Sequence, residues 1–521
     1  MTRLRPSVWK TTILVLFSLY LTFPSVAQIQ VNGTIESDTN NLQIVKVWGN
    51  HYERGFAYGY LLGSEINQVF NSYLKPQFGA YYSIARDMIA QGQDLYIDTI
   101  YQYEAKAIAA GMDSAGTNVT HMDYIDLLVC NSFLDIAKLM GQKMGMGCSS
   151  LLSWGNATNG TSLDGMASIS RHLDWTKNPI LINNQVLLVH LPSEENLQNW
   201  AGVGFAGMFS VLSGFNQHVG VFQHMMDDFN GTSPTGQAFE PIWFSLRKAI
   251  EQFDYNLDGY HDVLDVQSVL ADNPQGYAEG YLISALAANT SGQNERVALI
   301  AELAPAAPFL TFRNTSYADS IPGDNLYTAN YQIARDSAYH FCNRYNQVVS
   351  ALGNGTQLDD AAQWILMRDH SHLAHNLQFM QFVPEKDLFR LANIEGFTAA
   401  YLLDSVDYSI QALLSPSLQL EESSLTPIDW LLYPNPAADI VHLSIHKAWK
   451  GEFILSLRNS EGKLLHQQTL SGMPESISDQ HPSSEMLSVS IDLSPYPSGL
   501  YYLELSTLNG SDMKALLKIK P

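Results

Sequence analysis

The chain has 521 residues, with 51 Asp and Glu against 28 Lys and Arg for a net charge of −23, a balance that argues against nucleic acid or an anionic membrane surface as partner because both would repel it. A hydrophobic fraction of 46% is that of a packed globular protein, and the length predicts roughly two to four domains. Only three cysteines occur, Cys130, Cys148 and Cys342, so at most one disulfide can form and a thiol is left over.

The first elements in chain order are a basic start, "MTRLRPSVWK", an uncharged run, "TTILVLFSLYLTF", and small residues at Ser25 and Ala27. Residues 1–27 therefore read as a secretory signal peptide. The run is shorter than the about 20 apolar residues of a membrane span, and no later segment is long and uncharged enough to serve as one. In "ERGFAYGYLLGSEINQVFNSYLK" Gly55, Gly59 and Gly63 recur every fourth residue, which predicts a helix with one smooth face where another element approaches closely. Next comes "KMGMGCSSLLSW". A thiol is a strong nucleophile once its pKa is lowered. Gly147 in front of it has no Cβ to shield its carbonyl or to stiffen its backbone. The pair is suited to self-cleavage, in which Cys148 attacks the Gly147 carbonyl and becomes a new N-terminus whose α-amine, with a pKa near 8, serves as base. The bland alternative is a buried, inert core cysteine.

Strand-like runs crowd residues 165–226, and helical patterns around them predict helices packed on sheet. "FDYNLDGYHDVLDV" then places Asp254, Asn256, Asp258, Gly259, Asp262 and Asp265 at calcium-loop spacing, with the Tyr260 carbonyl available. A structural Ca2+ distant from the chemistry is the expectation, against the alternative of an acidic solvated turn. Asp369 and His370 in "MRDHSH" suggest a Cys-His-Asp triad. From "LSPSLQLEESSLTPIDW" the texture changes; 416–428 reads as a linker, and the alternating runs over 429–521 predict a small β-sandwich.

Two resemblances add to these readings. The tail, with "LLYPNPAADIVHLSI", "LSPYPSGLYYLEL" and "LKIKP", resembles the C-terminal sorting domain of the type IX secretion system, which implies a secreted or cell-surface protein and the secretion machinery as partner. The stretch from about 44 to 412 resembles the autoproteolytic isopenicillin N acyltransferase-like group within the N-terminal nucleophile hydrolases. Its motifs run in order: "GNHYERGFAYGYLLGSEI", "LLVCNSFLDI", "GCSS", "SISRHLDW", "SGFNQHVGV", "LYTANYQ" and "ILMRDHSH".

This second resemblance implies a four-layer αββα catalytic domain over 28–415, cut between Gly147 and Cys148. It implies Cys148 as nucleophile, Arg171 favouring the thiolate and Asp174 holding the new α-ammonium. Asn216 and Asn330 become oxyanion donors, Arg344 a substrate-binding residue, and His370 structural. Two positions depart from the family pattern, His172 and Tyr331, and both flank carried-over residues. The expected activity is hydrolysis, with acyl transfer as a variant, of a linear amide in a small or lipid-like acyl substrate, without a catalytic cofactor. The alternatives are a phospholipase B-like lipid hydrolase and a non-catalytic surface binding protein.

Overall fold

The computed structural model describes residues 31–39, 42–142, 145, 147–226, 233–290, 293–314, 321–335, 342–416, 430–446, 452–459, 463–471, 486–507 and 510–520. The signal segment 1–27 and the linker from 417 onward lie outside the described residues. The chain divides into two compact units after Pro416. The first mixes helices and strands, and the second is β-rich.

The strands of the first unit are β1 (Gly33–Thr39), β2 (Leu42–Gly49), β3 (Gly147–Ser153), β4 (Ser168–Asp174), β5 (Gln185–Pro192), β6 (Trp200–Phe205), β7 (Ser213–Asn216), β8 (Val219–Met225), β9 (Tyr281–Ala287), β10 (Ala298–Leu303), β11 (Leu310–Asn314), β12 (Asn325–Thr328), β13 (Asn376–Val383), β14 (Leu388–Asn393) and β15 (Val406–Ser409). Nine form one sheet, in the order β1-β2-β5-β6-β7-β8-β9-β10-β11, and six form another, β12-β3-β4-β13-β14-β15. Pairing is antiparallel except between β2 and β5.

Alternation along each strand sends side chains to opposite faces, and both faces of both sheets are apolar. Leu187, Val203, Phe215 and Phe222 of the larger sheet share a core with Leu152, Ile169, Met380 and Phe389 of the smaller one. The far side of the larger sheet gives Val45, Val186 and Val221 to a core with Tyr58, Leu62, Ile108 and Phe244 from helices. The far side of the smaller sheet gives Leu151 and Phe379 to a core with Val348, Leu352 and Met367. Each such side chain contributes about 1.5–3 kcal/mol by leaving water.

The glycine-striped segment is a helix, His51–Val69, started by a reciprocal cap: Asn50 Oδ1 accepts from Glu53 N at 3.1 Å and Glu53 Oε2 accepts from Asn50 N at 2.8 Å. It lies against the helix Thr99–Ser114 with almost no gap. A Cβ on Gly59 would sit 2.0 Å from the Ile108 carbonyl oxygen, and one on Gly55 would sit 2.6 Å from that of Glu104.

The second unit has a sheet of Trp430–Tyr433, Ile440–His446 and Met486–Asp492 and a sheet of Leu464–Ser471, Glu452–Asn459, Gly499–Thr507 and Gly510–Lys518. They share a core that includes Trp430, Leu443, Leu455, Leu503 and Leu516.

Candidate active site

The strands β3 and β4 lie side by side with Gly147 opposite Asp174 and Cys148 opposite Leu173. Cys148 is fully buried, and three side chains hold its three polar groups. Arg171 Nη2 donates to the sulfur at 3.4 Å. Asn330 Oδ1 accepts from the backbone nitrogen at 3.0 Å. Arg344 Nη1, from the helix Asn343–Leu352, donates to the carbonyl oxygen at 3.0 Å.

Each of these side chains is fixed in turn. Arg171 Nη1 donates to Ser213 Oγ at 2.9 Å and its Nη2 to the Gln223 carbonyl at 3.0 Å. Arg344 Nη2 donates to Asn330 Oδ1 at 2.7 Å, while Asn330 Nδ2 donates to the Met225 carbonyl at 2.8 Å. Two donors on one end and a carbonyl on the other determine how the Asn330 amide is turned. Its acceptor end faces Cys148, so it holds the nitrogen of the Gly147–Cys148 bond.

Arg171 and Asp174 point to opposite faces of β4. Arg171 reaches across to the larger sheet, and Asp174 turns toward Arg344 and Asn376. Asp174 Oδ1 accepts from Asn376 Nδ2 at 3.0 Å. Its Oδ2 faces Arg344 Nη1 at 3.5 Å, is buried, and accepts no hydrogen bond. A Cβ on Gly147 would lie 3.1 Å from the Asp174 Cβ and 2.7 Å from Leu373 Cδ1, so a larger residue would require the Leu373 side chain and Asp174 to shift.

Burial pushes the Cys148 thiol up to about 11; the Arg171 guanidinium opposes the rise and Asp174 adds to it. Burial likewise pushes the Asp174 carboxyl up to about 6, against the pull of Arg344 and Asn376. In the uncut chain the thiol is therefore protonated at neutral pH.

Asn216 is not brought to Cys148. Its Nδ2 donates to the Ile250 carbonyl at 3.0 Å, and its Oδ1 accepts from His218 N and Val219 N, both at 2.8 Å. It shapes the turn between β7 and β8 and ties it to the end of the helix Ile242–Glu251. Asp369 pairs with Arg368 at 2.8 Å, and both Asp369 and His370 are exposed at the end of the helix Asp360–His370, so neither sits in the buried site. His172 is buried, stacks on Phe379 at 4.0 Å and donates from Nε2 to the Met367 carbonyl at 3.1 Å; burial pushes its pKa down to about 3. Tyr331 packs against Tyr345 at 5.8 Å between ring centroids.

Asn376 was not evident from the sequence. It binds Asp174, the Leu173 carbonyl at 3.1 Å and the Gln378 carbonyl at 2.9 Å across an irregular step in the β4–β13 pairing. A polar residue opening the apolar run "NLQFMQFV" is the only trace of it.

A small apolar pocket has Trp175, Phe133, Trp243, Tyr73, Phe205 and Met208 among its walls. Trp175 follows Asp174 in the chain, and Trp243 Nε1 donates to Gln223 Oε1 at 3.2 Å on the residue whose carbonyl receives Arg171. The three cysteines are free thiols.

The expected calcium loop folds as a tight turn with positive φ at Asp254, Leu257 and Gly259. Its carboxylates are taken by groups on the protein. Asp254 accepts from Asp258 N at 3.0 Å and Gly259 N at 2.9 Å. Asp265 accepts from Asn256 N at 3.2 Å and Asp262 N at 3.1 Å. Arg296 pairs with Asp258 at 2.8 Å and Asp262 at 2.6 Å, and its guanidinium lies 4.3 Å over the Tyr260 ring. A resident cation thus stands where a Ca2+ would need two of its ligands, and the residues as arranged do not fit the ion. Among the described residues no group of three or more His, Cys, Asp or Glu is gathered as a metal requires.

Comparison with known proteins adds two findings. Residues 431–519 match the secretion system C-terminal sorting domain, which directs the chain along the type IX route to the cell surface or extracellular space. Part of the chain is similar to protein dcd1A of Dictyostelium discoideum, 26% identical over 239 residues that cover 42% of this chain and 52% of that one. It is also similar to dcd1B of the same organism, at 24% over 246 residues, 42% and 44% of the two chains, and to an uncharacterized protein of Archaeoglobus fulgidus, at 24% over 212 residues, 36% and 34%. The match thus spans about half the length of these curated relatives or less. Among the described residues no helix is long and apolar enough to cross a membrane.

Proposed function

We propose that residues 28–415 are a secreted amidohydrolase of the N-terminal nucleophile kind, with layers of helix, sheet, sheet and helix, activated by cleavage between Gly147 and Cys148. One observation carries this reading. The nitrogen, thiol and carbonyl of Cys148 are each held by a separate buried or half-buried side chain, next to a buried Asp174 oxygen whose charge partner is Arg344 at 3.5 Å.

In the first step the Cys148 sulfur attacks the Gly147 carbonyl carbon, the C–N bond breaks, and the thiol proton ends on the Cys148 nitrogen. Water then hydrolyses the thioester and leaves a carboxylate on Gly147. The freed α-amine accepts the thiol proton and becomes a second charged donor to Asp174 Oδ2 beside Arg344, while Arg171 stabilises the thiolate. The thiolate attacks a substrate amide, the amine departs with a proton, and water releases the acid. Asn330 turns its oxygen to the Cys148 nitrogen and gives its N–H to the Met225 carbonyl, and Asn216 gives its N–H to the Ile250 carbonyl, so neither is placed as the expected oxyanion donor in the uncut chain.

Mass spectrometry of the exported protein tests the proposal. A fragment beginning at Cys148 is expected, and Cys148→Ala should abolish both the fragment and turnover of N-acyl amides. An uncut wild-type chain would leave only a surface binding role. Cleavage of phospholipids but not of acyl amides would favour the lipid-hydrolase reading.

A further inference from the structure

Away from Cys148, an open cleft is walled by four chain segments, with Glu195, Gln198 and Asn199 on the first, Gln217 and His218 at a hairpin tip, Phe253 on the third and Gln411 on the fourth. The segments are tied together rather than loosely apposed. Gln198 N donates to the Glu251 carbonyl at 2.8 Å and Phe253 N to the Asn196 carbonyl at 3.0 Å. Gln198 Nε2 donates to the Gln252 carbonyl at 2.9 Å, and Asn199 Nδ2 to the Leu414 carbonyl at 2.9 Å. The hairpin tip is set by Asn216, so the residue that resembled an oxyanion donor instead builds one wall of this cleft.

The lining has a distinct chemistry. Phe253 is 54% exposed, although its ring is braced by His261 at 3.9 Å, which in turn lies 5.3 Å from His218. Gln217, Gln411 and Glu195 are exposed, and their side chains make no hydrogen bond among the described residues. The lining contains no lysine or arginine, and the chain carries −23 overall, so an anionic ligand is disfavoured. Primary amides both donate and accept, which suits a ligand whose groups do the same at every position. An open aromatic face suits the apolar C–H face of a ring.

We propose that this cleft binds a neutral oligosaccharide, with its hydroxyls on the amides of Gln217, Gln411, Gln198 and Asn199 and a sugar ring on Phe253. The site is separate from the proposed amidase chemistry and stands or falls without it.

The test uses the full exported chain on an immobilised array of neutral glucans, mannans, xylans and N-acetylglucosamine oligomers, with sialylated and sulfated glycans beside them. Retention on at least one neutral class is expected, with affinity for that oligosaccharide in solution falling tenfold or more in both Phe253→Ala and Gln217→Ala while the thermal midpoint and amide turnover stay at the wild-type level. Absence of binding to every neutral glycan overturns the proposal, as does a preference for the anionic ones. Binding that both substitutions leave untouched overturns it too, since the glycan would then sit elsewhere. Occupation of the cleft by the chain's own segment after Pro416 would appear as the first of these.

Discussion

Asp174 gives the uncut chain a measurable pH signature. Its carboxyl is raised from an ordinary 3.8 to about 6 by burial, so folding favours the protonated form, a difference on the order of 3 kcal/mol. That contribution is fully present below about pH 4 and is lost as pH rises through about 6. Asn in its place has no charge to bury. Starting from the uncleavable Cys148→Ala chain, adding Asp174→Asn should therefore gain stability relative to the single variant between pH 4.5 and 7.5. Urea midpoints at the two pH values read it directly, and a gap that does not move with pH would count against a buried, raised carboxyl. Residues of this kind differ in how far the sequence announces them. Cys148, Arg171 and Asp174 lie on two short runs that pair as neighbouring strands, so a local motif carries their proximity. Asn216 shows the opposite: an amide before a glycine-containing turn reads the same whether it aims at an oxyanion or at its own backbone. Asn376 acts across a pairing irregularity, which no local pattern encodes.

At the scale of elements, the helix pair His51–Val69 and Thr99–Ser114 depends on backbone contact. Gly59→Ala forces a methyl to within 2.0 Å of the Ile108 carbonyl oxygen unless the helices part. Overpacking of this sort costs about 1–3 kcal/mol, and it should appear as a lowered urea midpoint, whereas a helix-propensity effect alone would raise it. The four-residue glycine period made this element legible because spacing and close approach have the same cause. The acidic loop was legible in spacing and not in outcome. Arg296 lies well downstream and occupies Asp258 and Asp262, a competitor that the loop's own residues cannot reveal. Adding CaCl2 or EGTA is accordingly expected to leave the thermal midpoint unchanged, and a calcium-dependent rise would mean that Arg296 yields to the ion.

Across the molecule, the proposed cut falls between segments that remain interleaved. β1 and β2 precede Gly147, yet β2 pairs with β5 over its full length, from Leu42 with Gln185 to Gly49 with Pro192, and the helix His51–Val69 shares a core with strands that follow the cut. The two fragments should co-elute on size exclusion in buffer and separate only in denaturant. Independent migration of the fragments in buffer would contradict this interleaving. The sequence told of alternating strands in both units, but strand order in a nine-stranded sheet is set by distant pairings and leaves no local trace. Asp174 has a further consequence at this scale under the proposed cut. An ammonium placed against its carboxylate would have to lose that charge before the bond could be rejoined, so maturation by this route would work as a ratchet: a carboxylate left to Arg344 at 3.5 Å in the precursor would gain a closer cation in the product.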